Sequence, residues 1–215
     1  YSTSPCPFRI LLMAAPFYIF QYNSTTTPAA QTAPPSKNVR FSQPKPVQPA
    51  LCLTLCRYNE GMQFELHTEF PDSLETEWNQ LLERSASHVP FLRFEYQRAW
   101  WQTRGGGEWP QASLALVTAR QDGRLVGIAP LFSAAHEGEQ RLLLVGSIEV
   151  SDYLDLIAAP EDLSAFSAGL LAYLRANLPG WQRLAPYNLL DNSPTLAALQ
   201  SAAEAAGLPF ATEKL

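Results

Sequence analysis

The chain has 215 residues, a formal net charge of −5, 47% hydrophobic residues and 16% charged residues. That composition fits one globular domain of ordinary size and excludes a wholly disordered chain. The acidic balance offers no basic surface for nucleic acid, and no apolar run approaches the roughly 20 residues that span a bilayer, so neither is an expected partner.

The composition breaks near Met62. Nine of the 18 prolines and all three cysteines (Cys6, Cys52, Cys56) lie in residues 1–61, which carry five basic side chains against one acid. Residues 62–215 carry ten basic side chains against 19 acids. Residues 8–20 form a short apolar run with Arg9 inside it and Pro16 interrupting it. No basic stretch precedes that run, so it lacks a part that a secretory signal requires, and a cytoplasmic location is the expectation. Residues 22–50 are rich in Ser, Thr, Pro, Ala and Gln and hold too few large apolar side chains to offset the entropy of ordering. Cys52 and Cys56 have no further Cys or His at zinc-site spacing and read as ordinary thiols. Residues 1–61 are therefore expected to be a disordered or upstream, non-native segment, and residues 62–215 the organised domain.

From Met62 the punctuation is regular. Residues 63–70 (QFELHTEF) alternate apolar and polar, as a half-buried strand does. Asp72, with Glu75 three positions on, is a capping signal, and Leu74, Trp78, Leu81 and Leu82 follow on one helical face. A second helix is expected over residues 91–104, ended by Gly105-Gly106-Gly107. Strands follow over residues 113–119 and 125–132, joined by a hairpin turn at Asp122-Gly123, with Pro130 implying a bulge or an edge. A further strand covers residues 141–145, and residues 148–158 have strand character strongest at 153–157. Pro160-Glu161-Asp162 opens a helix whose stripe is Leu163, Phe166, Leu170, Leu171 and Leu174. Residues 181–190 read as a strand with an irregularity at Pro186. Ser193-Pro194 is an N-cap followed by proline in the first turn, Gly207 closes that last helix, and residues 208–212 begin another strand.

That order, filled by particular residues, resembles the Gcn5-related N-acetyltransferase (GNAT) superfamily, and within it the CelD-like, cellulose-biosynthesis-type acetyltransferases. The likeness rests on Trp78-Asn79-Gln80-Leu81-Leu82, Pro90-Phe91-Leu92 and Ala99-Trp100-Trp101. It continues through residues 122–131 (DGRLVGIAPL), Arg141-Leu142 and Ser151-Asp152-Tyr153-Leu154-Asp155. It spans residues 62–215. The resemblance implies an α/β fold with a mixed sheet, an acyl-CoA N-acyltransferase fold truncated after its last helix. It also implies a longer protein with two such halves in tandem, of which this is the first, so that a C-terminal GNAT half is an implied partner. Acetyl-CoA is the implied co-substrate and no metal is implied. The family splays two parallel strands and holds pyrophosphate on backbone N–H groups at the next helix N-terminus, through a glycine-rich loop. Here the corresponding loop, Ala158-Ala159-Pro160-Glu161-Asp162, has no glycine, lacks one N–H at Pro160 and carries two acids.

The expected activity is transfer of an acetyl group from acetyl-CoA to an amine or hydroxyl, saccharide acceptors among them. Asp152 and Asp155 are candidate bases for the attacking group, and Tyr153 a candidate acid for the leaving thiolate. In a period-2 strand Tyr153 and Asp155 share a face and Asp152 points away. The plainer alternative makes Asp152 a turn cap and Tyr153 a half-buried aromatic. Trp101, with Trp100 and Tyr96, is a candidate acceptor surface, although such a cluster is more often core. Tyr187 and Asn188, beside Pro186, are candidates for polar contacts to substrate where strands splay, or merely for an irregular ladder. His88 and His136 lie in expected loops. Two other functions stand beside this one: a non-catalytic half that binds acceptor or packs on a catalytic half, and a Fem-like aminoacyl transferase, which the acidic balance disfavours.

Overall fold

A computed structural model describes residues 9–14, 61–109, 111–136, 138–146 and 151–214. Ten strands and four α-helices follow one another along it. The strands are β1 (Arg9–Ala14), β2 (Met62–His67), β3 (Ser113–Leu114), β4 (Leu116–Gln121), β5 (Arg124–Ala129), β6 (Leu131–His136), β7 (Glu139–Leu144), β8 (Ile157–Ala158), β9 (Arg183–Leu184) and β10 (Phe210–Lys214). The helices are α1 (Glu75–Glu83), α2 (Phe94–Arg104), α3 (Pro160–Asn177) and α4 (Pro194–Ala205), with short 3₁₀ turns at Asp72–Leu74 and Pro90–Leu92. The class is mixed α/β.

The strands form a four-stranded sheet, β2-β4-β5-β8, and a six-stranded sheet, β10-β1-β9-β7-β6-β3. Local chemistry explains why there are two. Pro130 has no N–H to give a ladder, and it divides one long run into β5 and β6. Opposite it, Ala115 divides β3 from β4. The two sheets bend into one another at this seam, where the Ala115 N–H donates to Leu131 O at 2.8 Å and the Val145 N–H to Pro130 O at 2.7 Å. β7 runs antiparallel to β6, and β8 runs antiparallel to β5. β8 thus resumes beside β5 the line that β7 began beside β6.

One continuous hydrophobic cluster joins both sheets and all four helices. Gly127 of β5 lies under the Phe166 ring of α3, so close that a Cβ there would stand 2.2 Å from a ring carbon. Alternation turns Val126 and Ile128 to the other face, where α1 packs on β5 and β8. Phe64 of β2 stacks between Phe166 and Tyr173 of α3, at 6.0 and 5.6 Å between ring centres. Trp78 of α1 and Phe94 of α2 meet edge to face at 5.5 Å, and the Trp78 indole N–H donates to Leu92 O at 2.8 Å. Both amphipathic helices are thereby tied to the loop between them.

Several expectations change in detail. Asp72 does not cap a helix; its carboxylate pairs with Arg98 across to α2, and no side chain caps the turn it opens. The strand expected over residues 181–190 shrinks to Arg183–Leu184. The one expected over residues 148–158 shrinks to Ile157–Ala158, so the period-2 placement of Asp152, Tyr153 and Asp155 does not hold: residues 151–156 are not a strand. Residues 9–14, read from sequence as part of a disordered stretch, form a parallel strand between β9 and β10. The rest of that stretch, through Glu60, lies outside the described residues, as do residues 148–150. The punctuation matches elsewhere: Asp122 and Gly123 have φ of 51° and 78° in the hairpin, and Gly105 and Gly207 end helices at φ of 56° and 65°.

Candidate functional site where β7 and β9 part

β7 and β9 are the parallel neighbours at the centre of the six-stranded sheet, and they pair over a short stretch only. Arg141 faces Arg183 and Leu142 faces Leu184, with flanking bonds from Gln182 N–H to Gln140 O and from Ala185 N–H to Leu142 O, both 2.8 Å. Beyond that point they separate. On the β7 side, the Val145 N–H turns away to Pro130 and Gly146 takes a φ of 138°. On the β9 side, Pro186 offers no N–H and Asn188 sits in the left-handed region at φ 60°. The backbone chemistry of both strands thus ends the ladder at the same level.

Residues 151–156 occupy the gap that results. Asn188 holds them from one lip: its Nδ2 donates to Ser151 O at 2.7 Å, and its carbonyl accepts from the Leu154 N–H at 3.0 Å. From the other lip Gly146 meets them closely, since a Cβ at Gly146 would stand 2.7 Å from Leu154 and 3.0 Å from the Ser151 hydroxyl. α2 adds two further ties, Tyr96 OH to the Ser151 hydroxyl at 3.0 Å and Gln97 Nε2 to Val145 O at 3.0 Å. Gln97 is fully buried there, a polar side chain spent on holding α2 to the end of β7.

Asp155 is the joint of this segment. Its side chain is buried, 2% exposed. One carboxyl oxygen meets the hydroxyls of Ser87, from the α1–α2 connection, and of Ser193, the N-cap of α4, the latter at 2.6 Å. The other accepts the Leu156 N–H at 2.8 Å. Burial pushes the Asp155 carboxyl up from the ordinary aspartate range, while the hydroxyls of Ser193, Ser87 and Thr195 and the Leu156 amide pull the other way. No cation contributes to that balance. The Ser193 hydroxyl also accepts from the Thr195 N–H at 3.2 Å, so one serine serves the helix end and the buried acid together.

The other candidates from sequence are dispersed around this joint. Asp152 is exposed and Tyr153 half-buried on the outer side of the segment. Asn188 belongs to the gap, as its bonds show. Tyr187, buried, turns elsewhere: it stacks on Trp109 at 5.9 Å and stands 3.5 Å from the Arg141 guanidinium. Trp101 is half-buried against Phe132 at 5.8 Å. Trp100, with Tyr96, Ala99, Thr103 and Arg104, lines an open depression of about 350 Å³ on α2, and Trp101 is not part of its lining. His88 is exposed, and His136 meets the Trp109 ring edge to face. Ser87 and Ser193 were not singled out as partners of an acid, because no spacing links residues 87, 155 and 193; the capping signal at Ser193 was the one trace of it.

The N-terminus of α3 lies just after β8. Pro160 has no N–H, the Asp162 amide donates to Ala159 O at 3.0 Å, and no side chain caps the turn. Glu161 and Asp162 place two carboxylates in the first turn. They satisfy the helix dipole internally, which is the role an anionic ligand would otherwise fill. Among the described residues no group of three His, Cys, Asp or Glu side chains forms a metal site, and no helix is long and apolar enough to cross a membrane. The chain finds no match among protein-family models, curated proteins or solved structures.

Proposed function

We propose that the chain is an acyltransferase module of GNAT type, carrying an acetyl group from acetyl-CoA to an amine or hydroxyl acceptor such as a saccharide. The observation that supports this is the parting of two parallel central strands after Leu142 and Leu184. Strands that diverge expose backbone N–H and C=O groups at a crevice, and these suit an extended amide-bearing cofactor and a thioester oxyanion. Direct attack on the thioester requires proton removal from the acceptor and a proton for the departing thiolate. In this reading the exposed Asp152 takes the first proton and Tyr153 gives the second, Asp155 acts by holding both in place, and Asn188 borders the acceptor, while Tyr187 and Trp101 are packing residues. Isothermal titration of coenzyme A into the 215-residue chain tests it: micromolar binding is expected, and silence at millimolar coenzyme sinks it.

A second reading has an observation of its own. Residues 151–156 fill the gap, and the first turn of α3 already carries two acids and lacks the Pro160 N–H. That favours a non-catalytic GNAT-like half that binds the acceptor or packs against a catalytic half. Under it coenzyme A does not bind, while an acceptor saccharide still perturbs the tryptophan fluorescence of Trp100, Trp101 or Trp109. The Fem-like alternative has no observation in its favour.

A further inference from the structure

β9 and β10 lie in one sheet without pairing with each other. α4 joins them along the chain, and β1 fills the place between them, parallel to both. Arg9 and Ile10 face Arg183 and Leu184, and residues 10–14 face residues 210–214 in register. Two strands with one strand between them stand about 10 Å apart, too far for a direct ladder, so an inserted strand alone closes this slot. The occupant reads Ile10-Leu11-Leu12-Met13, the continuous apolar run that interior strands of parallel sheets carry. The two strands that frame the slot lie within residues 183–214, whereas its occupant comes from the other end of the chain. β1 is tied to β2 through residues 15–61. A stretch of that length reaches at most ~160 Å, against a radius of gyration of roughly 17 Å for a compact chain of this size. The tether therefore does not confine β1 to its own slot. The ladders it makes are main-chain bonds, the same whichever copy supplies the strand.

We propose that the slot between β9 and β10 is a strand-exchange surface whose partner is a second copy of this chain, each copy's Arg9–Ala14 entering the other's slot. A second copy is the partner because the slot's occupant is this chain's own segment, and every copy carries both the strand and the slot. The reciprocal arrangement is isologous and closes as a two-fold dimer with neither slot left empty. Tethering favours the chain's own strand in dilute solution. The second copy's strand competes as protein concentration nears the effective concentration of the tether, on the order of millimolar.

Cross-linking reads the exchange directly. In full-length chains carrying Cys6→Ser, Cys52→Ser and Cys56→Ser, one variant adds Leu12→Cys and another adds Thr212→Cys, positions that face each other in register across β1 and β10. The two are unfolded together in urea, refolded and treated with a short bis-maleimide. Neither can form a 12–212 link within itself. A linked heterodimer is expected, its yield rising about tenfold or more from micromolar to near-millimolar protein. The chain carrying both substitutions is the control, and an internal link is expected in it even in dilute solution. An internal link with no heterodimer near millimolar overturns the exchange, and absence of the internal link overturns the seating of β1 on which the exchange stands. Should the cysteine variants fail to fold, sedimentation of the refolded wild-type chain decides, with dimers expected to grow over the same range. A wild-type chain that stays monomeric overturns the proposal. So do dimers formed as readily by Leu12→Pro, whose proline cannot serve an interior ladder.

Discussion

Asp155 also makes a global prediction through linkage. Its folded pKa is raised, so the unfolded chain releases this proton first as pH rises through about 4, while the folded chain retains it. Its contribution to stability is therefore fully present below that pH and is lost as pH rises through the folded value. Urea unfolding across this window should show stability falling with pH in the wild-type chain and a flatter profile in Asp155→Asn. Equal slopes would show that the acid does not titrate between the two states. Gly127 gives a steric counterpart. A methyl group there would meet the Phe166 ring at 2.2 to 2.6 Å, so Gly127→Ala should cost roughly 2–3 kcal/mol by overpacking. Adding Phe166→Leu should recover part of that loss, because it removes the atoms in conflict.

At the scale of elements, α4 shows how one residue couples a helix to a distant loop. Ser193 caps α4 through the Thr195 amide and donates to Asp155. Ser193→Ala should therefore cost more than an ordinary cap, about 2 kcal/mol by chemical denaturation, the sum of a lost cap and a buried carboxyl deprived of a donor. A loss within a few tenths of a kcal/mol would mean that the Asp155 bond contributes little. The capping signal at Ser193, the proline at Pro194 and the glycine at Gly207 were plain in the sequence because they act within a turn. So was the stripe of α3, whose Leu163, Phe166, Leu170, Leu171 and Leu174 are all buried. Of the strand expected over residues 148–158, strongest at 153–157, the described residues keep only Ile157–Ala158. Apolar residues there are buried by packing between two lips of a sheet rather than by pairing, and alternation alone does not distinguish those two ways of becoming buried.

For the molecule as a whole, the placing of β1 is the longest-range decision. β10 pairs with β1 from Ile10–Phe210 to Ala14–Lys214, and β1 pairs on its other side with β9. β1 is the one strand partner of β10 among the described residues. Removing residues 1–20 should therefore strip exchange protection from residues 210–214 and leave the β2-β4-β5 ladder as it was. Unchanged protection at β10 would mean that β1 does not hold it. Removing residues 1–61 in the same way tests whether residues 62–215 suffice for the fold.

Periodicity, turn residues and capping residues act over a few positions, so the helices, the Asp122-Gly123 hairpin and the break at Pro130 could be read from the chain without coordinates. The mixed α/β class followed from the order of those elements. Three facts depended on tertiary structure: that Ser87, Asp155 and Ser193 converge on one carboxyl, that β7 and β9 part to lodge residues 151–156, and that Arg9–Ala14 enters the sheet between β9 and β10. Each brings together residues far apart in sequence, and the energy that selects such a contact comes from burial and hydrogen bonding shared among several elements. No single stretch of chain carries that information, because no single stretch makes the contact.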